Sequence, residues 1–225
     1  MVWILISLFF CWLALREVKG AMVGRRGYGQ AQPVYKPYLL VCLIFAGLFA
    51  WRPLHFWLLE RQLSAIATQL ADSRPAHFHC NTVLDAVFDN DPFAAGHASP
   101  ETGEIVFQHP WCATLTDYLD HPETASRQEL HSLNMLTHES MHVRGEMNEA
   151  RTECQAVQRN YRTAKLLGVP DPVARKNAVE IYQVNYRQLS TAPDRVAAYF
   201  SAQCAPGKEL DEQLSDSTWL WLEGQ

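Results

Sequence analysis

The sequence has little charge. Of its 225 residues, 19% are Asp, Glu, Lys or Arg, against 48% hydrophobic. A chain this apolar is not a disordered one. It has no basic excess either. The formal net charge is −5, which argues against a nucleic-acid partner. None of its six cysteines forms a C-x-x-C pair, so neither a zinc ribbon nor a thioredoxin-type motif is supported. Repeats and low-complexity tracts are also missing, which excludes solenoids and arrays. At 25.6 kDa the length suits one domain with a small appendage.

Acid is almost absent from one end. Residues 1–59 carry six Lys or Arg and a single acid, Glu17, and sum to +5, whereas residues 60–225 carry 13 bases and 23 acids and sum to −10. Two apolar segments explain the split. Residues 2–15 contain no charge, and residues 38–58 contain only Arg52. A spanning helix needs about 17–25 such residues. The second segment reaches that length if Arg52 snorkels, and Trp51 and Trp57 suit an interfacial belt. The loop between them holds five Lys or Arg and one Glu, so the positive-inside rule places it in the cytoplasm and residues 60–225 outside. Met22 is a second possible start and leaves the same orientation. Residues 1–59 thus read as a membrane anchor of one or two helices, with an extracytoplasmic domain after it.

Cysteine usage agrees with export. Cys11 and Cys42 lie in the apolar segments, and Cys80, Cys112, Cys154 and Cys204 lie in the domain. In an oxidising compartment four cysteines are expected to pair. Of the three connectivities allowed, Cys80–Cys112 with Cys154–Cys204 is favoured, because each bridge then staples one half of the domain.

The domain changes character along its length. Leu63, Ile66 and Leu70 suggest a short amphipathic helix over 60–72. Residues 77–88 read as β-like up to a break at Asn90-Asp91-Pro92, and 99–103 as a turn. Residues 104–108 then read as a short strand ended by Pro110. From there helices dominate. Thr124 or Ser126 caps a helix running to about Arg144, with Leu130, Leu133 and Leu136 on one face and Gly145 as its stop. Asn148 caps a helix to about Leu167, Asp171-Pro172 opens one to about Leu189, and Pro193-Asp194 opens another ending near Cys204. Strands before helices predict an α+β fold.

Inside the best helix candidate lies H-E-x-x-H: His138, Glu139, Ser140, Met141 and His142. At i and i+4 two imidazoles leave one helix face and can share a metal, and the adjacent Glu139 can hold the water that the metal polarises. Zn2+ suits two His, one carboxylate and an open position. Downstream runs Asn148-Glu149-Ala150-Arg151-Thr152-Glu153. This combination resembles the zincin superfamily of zinc metallopeptidases, in its gluzincin branch, where Asn-Glu supplies the third ligand and an acid four residues on supports a histidine. His142-Val143-Arg144-Gly145 also resembles the metzincin H-x-x-G turn. The interval between His142 and Glu149 is shorter than in the large gluzincins. Glu149 is favoured as third ligand because the tight Gly145 turn places the start of its helix nearest the site, with Glu153 one turn on as the alternative and Glu146 solvated in the bend.

The resemblance implies a small zincin-like domain and hydrolysis of a peptide or protein substrate, with Glu139 as general base. Ile105-Val106-Phe107 is a candidate edge strand for an extended peptide, or equally an internal strand. Tyr182, Tyr186, Tyr199 and His109 are candidate oxyanion donors. His77, His79 and Cys80 read better as a polar strand face beside a disulfide than as a metal site. Asp117, Asp120 and Glu123 read as a solvated acidic face. The alternative function is a non-catalytic zincin-like subunit that binds a membrane-protein partner; the presence of Glu139 favours the enzyme.

Overall fold

The structure is a computed structural model describing residues 2–23, 33–82, 85, 94–191 and 193–222. The chain divides into two compact units, Met1–Leu59 and Glu60–Gln225.

The first unit is a helical hairpin. Helix α1 spans Val2–Val23, and α2 starts at Lys36 and runs as one helix to Leu70. Phe10 stacks on Phe45 and Phe49 at 5.1 and 5.8 Å, Trp3 stacks on Phe49 at 5.7 Å, and the Ser7 hydroxyl donates to the carbonyl of Ala46 at 2.9 Å. Rising numbers in α1 meet falling numbers in α2, so the helices are antiparallel. Outward-facing residues such as Leu5, Leu8, Leu40, Ile44 and Leu48 are exposed and apolar. Among the described residues α2 is the one helix long and apolar enough to cross a membrane. The short helix expected over 60–72 is the end of α2. The apolar and amphipathic stretches share the helical period, and Pro53 is accommodated within the helix.

The second unit is α+β. Strands β1 (His77–Cys80), β2 (Gly96–Ser99) and β3 (Glu104–Phe107) form one sheet in the order β1-β3-β2. β3 runs parallel to β1 and antiparallel to β2. It is therefore the central strand, and the edge-strand reading of Ile105–Phe107 is overturned. Its alternate residues cannot be spared for a ligand, since Ile105, Val106 and Phe107 are all buried. Gly103 turns β2 into β3 at φ +75°, where a Cβ would come 2.1 Å from the carbonyl of Pro75. That clash admits only glycine.

The outer edge of β1 is covered by α2. Glu60, Ser64 and Thr68 recur at four-residue steps and accept from the backbone N–H groups of Cys80, Phe78 and Ala76 at 2.9, 2.8 and 2.9 Å. Four helix residues advance ~6 Å and two strand residues advance ~6.6 Å. A helix stripe can therefore match a strand edge over this length.

Pro110 does not merely end β3. It lies in the first turn of α3 (His109–Asp120), which buries Cys112, Leu115 and Tyr118. A first-turn proline suits a helix start, because the N–H it lacks would have no partner there. Helix α4 spans Arg127–Arg144, α5 Glu149–Leu166 and α6 Asp171–Glu180. Ser126 and Glu129 form a reciprocal capping box for α4, and Asn148 caps α5 through Arg151 N–H at 3.0 Å. At α6 the N-cap is Pro170, not Asp171. The Asp171 carboxylate instead accepts from the Tyr161 hydroxyl at 2.5 Å and pairs with Arg175.

Regular helix ends at Glu180. A π-helical turn (Ile181–Tyr186) and a 3-10 turn (Arg187–Thr191) replace the α-helix expected to reach Leu189. The helix opened at Asp194 stops at Ala197 as α7. The chain is pulled away there: the Tyr186 hydroxyl accepts from Ser201 N–H at 3.0 Å, and Cys204 is bridged to Cys154. The other bridge joins Cys80 to Cys112, so the favoured pairing holds. The break expected at Asn90-Asp91-Pro92 lies outside the described residues.

Candidate metal centre

Helices α4 and α5 build the centre. His138 and His142 project from one face of α4. Gly145 then ends the helix at φ +114°, and Asn148 opens α5. The turn brings the first residue of α5, Glu149, back over the two rings. Its Oε2 lies 3.2 Å from His138 Nε2 and 3.5 Å from His142 Nε2. The two Nε2 atoms are 3.1 Å apart. One ligand atom from each of His138, His142 and Glu149 lies within 4.8 Å of the others, and the group can hold a metal ion.

The far sides of both rings are occupied. His142 Nδ1 lies 2.8 Å from the carbonyl oxygen of Glu146. A carbonyl only accepts, so Nδ1 carries the proton and the Nε2 lone pair of the neutral ring faces the centre. His138 Nδ1 meets Glu153 Oε2 at 2.8 Å. Glu153 Oε1 accepts from Asn134 Nδ2 at 2.7 Å, and Asn134 Oδ1 accepts from Asn160 Nδ2 at 2.7 Å. Glu149 and Glu153 thus take different ring nitrogens of His138.

The donor set fits a cation. Glu149 Oε2 is buried between the two ring nitrogens, 3.2 and 3.5 Å from them. Two imidazoles facing each other through Nε2 need a positive charge between them. From the protein's own groups, a proton fills that need. Burial lowers the His138 pKa, but the hydrogen bonds to Glu149 and Glu153 outweigh it and raise His138 to about 10. Burial and the charge on His138 hold His142 below its ordinary value, and the bond to His138 lowers Glu149. Glu139 is pushed up to about 7 by burial.

A cavity of ≈ 320 Å³ opens beside His138, lined by His138, Glu139, Glu153, Asn134, Met135, Tyr199 and residues 94–96 leading into β2, among others. Of the four candidate oxyanion donors only Tyr199 lines it, with its ring 5.6 Å from that of His138. The Tyr182 and Tyr186 hydroxyls contact the carbonyls of Cys204 and Ser201. His109 starts α3 away from the cavity wall. His79 pairs with Glu60 at 2.9 Å, which accounts for the H-x-H-C cluster as a polar strand face.

Glu146 is not simply solvated in the bend. Its Oε1 accepts from the N–H groups of Met147 and Asn148 at 3.0 and 2.9 Å, which knits the turn that aims Glu149. Asn134 and Asn185 were not legible as site residues. Asn134 stands four residues before His138, and that spacing was the available signal. Asn185 reaches the cavity through the π-helical turn, which no sequence pattern announced. Comparison of the chain with models of known protein families, with curated proteins and with solved structures finds no match.

Proposed function

We propose that the chain is a membrane-anchored zinc metallopeptidase of zincin type that hydrolyses peptide bonds outside the cytoplasm. The observation that carries this reading is the convergence of His138, His142 and Glu149 beside a cavity that His138 and Glu139 line. Two nitrogens and one carboxylate with an open position are the donors of a catalytic zinc. The candidate spanning helix and the two disulfides favour a membrane or extracellular setting.

Bound zinc would supply a Lewis acid that polarises water and the scissile carbonyl. Glu139, held near neutrality by burial, takes a proton from the attacking water and delivers it to the leaving amine. Tyr199 is positioned on the cavity wall to donate to the oxyanion. An extended substrate pairs with β2 rather than β3. The outer edge of β2 has no strand partner among the described residues, and its start lines the cavity.

The test is zinc content and peptide-library cleavage by the purified chain and by Glu139→Gln. Zinc near one per chain in both is expected, with activity down ~10²–10⁴-fold in the variant, the usual worth of a general base. A wild-type chain that retains no zinc after dialysis refutes the reading. Zinc retained with no cleavage at any pH favours the partner-binding subunit.

A further inference from the structure

The cavity beside His138 adjoins another. A second cavity of ≈ 530 Å³ is lined by Arg127, Gln128, His131, Asn185, Gln188 and Leu189. His131, Asn185 and Leu189 line both cavities, so the two adjoin along a common groove. Its floor is one face of α4. His138, Asn134, His131 and Arg127 follow at four-, three- and four-residue steps, the spacing that stacks side chains along one side of a helix. Arg127 and His138 are eleven positions apart on α4, ~16 Å at the helical rise. An extended peptide covers that distance in ~5 residues.

Two side chains give the groove its chemistry. Asn185 sits in the π-helical turn with Nδ2 and Oδ1 both buried and both without a hydrogen bond among the described residues. Leaving such groups unpaired costs ~1–3 kcal/mol. π-helical turns recur at functional sites. A peptide group offers one acceptor and one donor, the complement of this carboxamide. At the far end stands Arg127, exposed, with a single contact to Gln188 Oε1 at 3.3 Å. No carboxylate pairs with it among the described residues.

We propose that the groove is an extended substrate subsite. It takes a peptide bearing a carboxylate about five residues from the scissile bond, with Asn185 bonding the backbone between and Arg127 pairing with the carboxylate. The inference rests on the peptidase reading of the metal centre. The carboxylate belongs either to an acidic side chain or to the substrate's C-terminus.

The experiment uses the full-length, zinc-loaded protein in detergent and a series of quenched fluorescent peptides of one parent sequence. A single Glu is moved through every position on both sides of the cut, with a Gln peptide as control. A parallel series has a free, stepped C-terminus instead. The expected result is a kcat/KM peak ~3–5-fold above the control when the carboxylate lies four to six residues from the cut. A peak confined to the second series identifies a terminal carboxylate as the ligand. Arg127→Gln, with its zinc content as the folding control, brings the ratio to about one, and Arg127→Glu turns it toward Lys peptides. Lys208→Gln, the same loss of charge away from the groove, retains the peak. Asn185→Ala raises KM more for long peptides than for short ones. Peptides that are cut with no positional peak, or a peak that Arg127→Gln leaves in place, overturn the groove while the peptidase reading stands. No cleavage of any peptide overturns both.

Discussion

One helical turn separates Glu149 from Glu153, and with it two roles. Glu149 faces Nε2 of both rings, whereas Glu153 holds Nδ1 of His138. Glu149→Ala removes a candidate ligand. Glu153→Gln leaves an oxygen that still accepts from Nδ1 but removes the charge behind it. Chelator competition is expected to show a ~10–100-fold loss of metal affinity for Glu153→Gln and a larger loss for Glu149→Ala. The opposite order would exchange their roles. The histidine pair and Glu139 were legible because an i, i+4 spacing on a helix dictates a shared face. The choice between the glutamates depended on how sharply the chain turns after α4.

At the scale of elements, that turn is set by Gly145. With φ at +114° and Arg74 Nη1 3.0 Å from the position of a Cβ, Gly145→Ala should cost at least ~1–2 kcal/mol. It should also weaken metal binding, because Glu149 would be displaced from the rings. Urea unfolding and chelator titration measure the two effects, and a variant with unchanged metal affinity would show that the turn is not what aims Glu149. A second junction, between α2 and β1, depends on pH. The bond to Glu60 raises the His79 pKa. Burial raises Glu60, but the bonds from His79 and the Cys80 N–H outweigh it, so Glu60 lies lower. Being raised, His79 contributes fully below its ordinary value of 6.5 and loses the contribution as pH rises through its folded value. Being lowered, Glu60 contributes above its ordinary 4.5 and loses the contribution as pH falls through its folded value. The pair is strongest between these two limits. An NMR titration should place His79 above 6.5 and Glu60→Gln should bring it back. A His79 that titrates identically in both proteins would dissolve the pair.

For the whole molecule, the bridges and the C-terminal strap matter most. The disulfides close loops of 32 and 50 residues, each worth roughly 3–4 kcal/mol by chain entropy. The strap over α5 adds an ionic network: Arg159, buried, pairs with Glu212, and Arg144 reaches Glu212 and Asp72 at 3.0 and 2.6 Å. Reduction of the folded protein should therefore lower its thermal midpoint markedly. If residues 60–225 are exported, reporter fusions after Leu70 should be active only outside the cytoplasm and the bridges should be oxidised in cells. A domain found reduced in the cytoplasm would contradict the export proposal.

The sequence alone determined what repeats locally. Helix caps at Ser126 and Asn148, the stop at Gly145, the apolar segments and the imidazole pair all follow from neighbours within a turn or two. The π-helical turn at Ile181, the truncation of α7 and the first-turn role of Pro110 did not. Each is imposed by distant partners such as Ser201, Cys154 and the buried face of α3. Strand order was likewise a tertiary decision, since three four-residue strands carry too few residues to say which lies in the middle. The same holds for the metal centre. Two candidate ligands share one helix and were written in its period, while the third and the cavity beside it depend on α5, β2 and the Tyr199 segment folding back over α4.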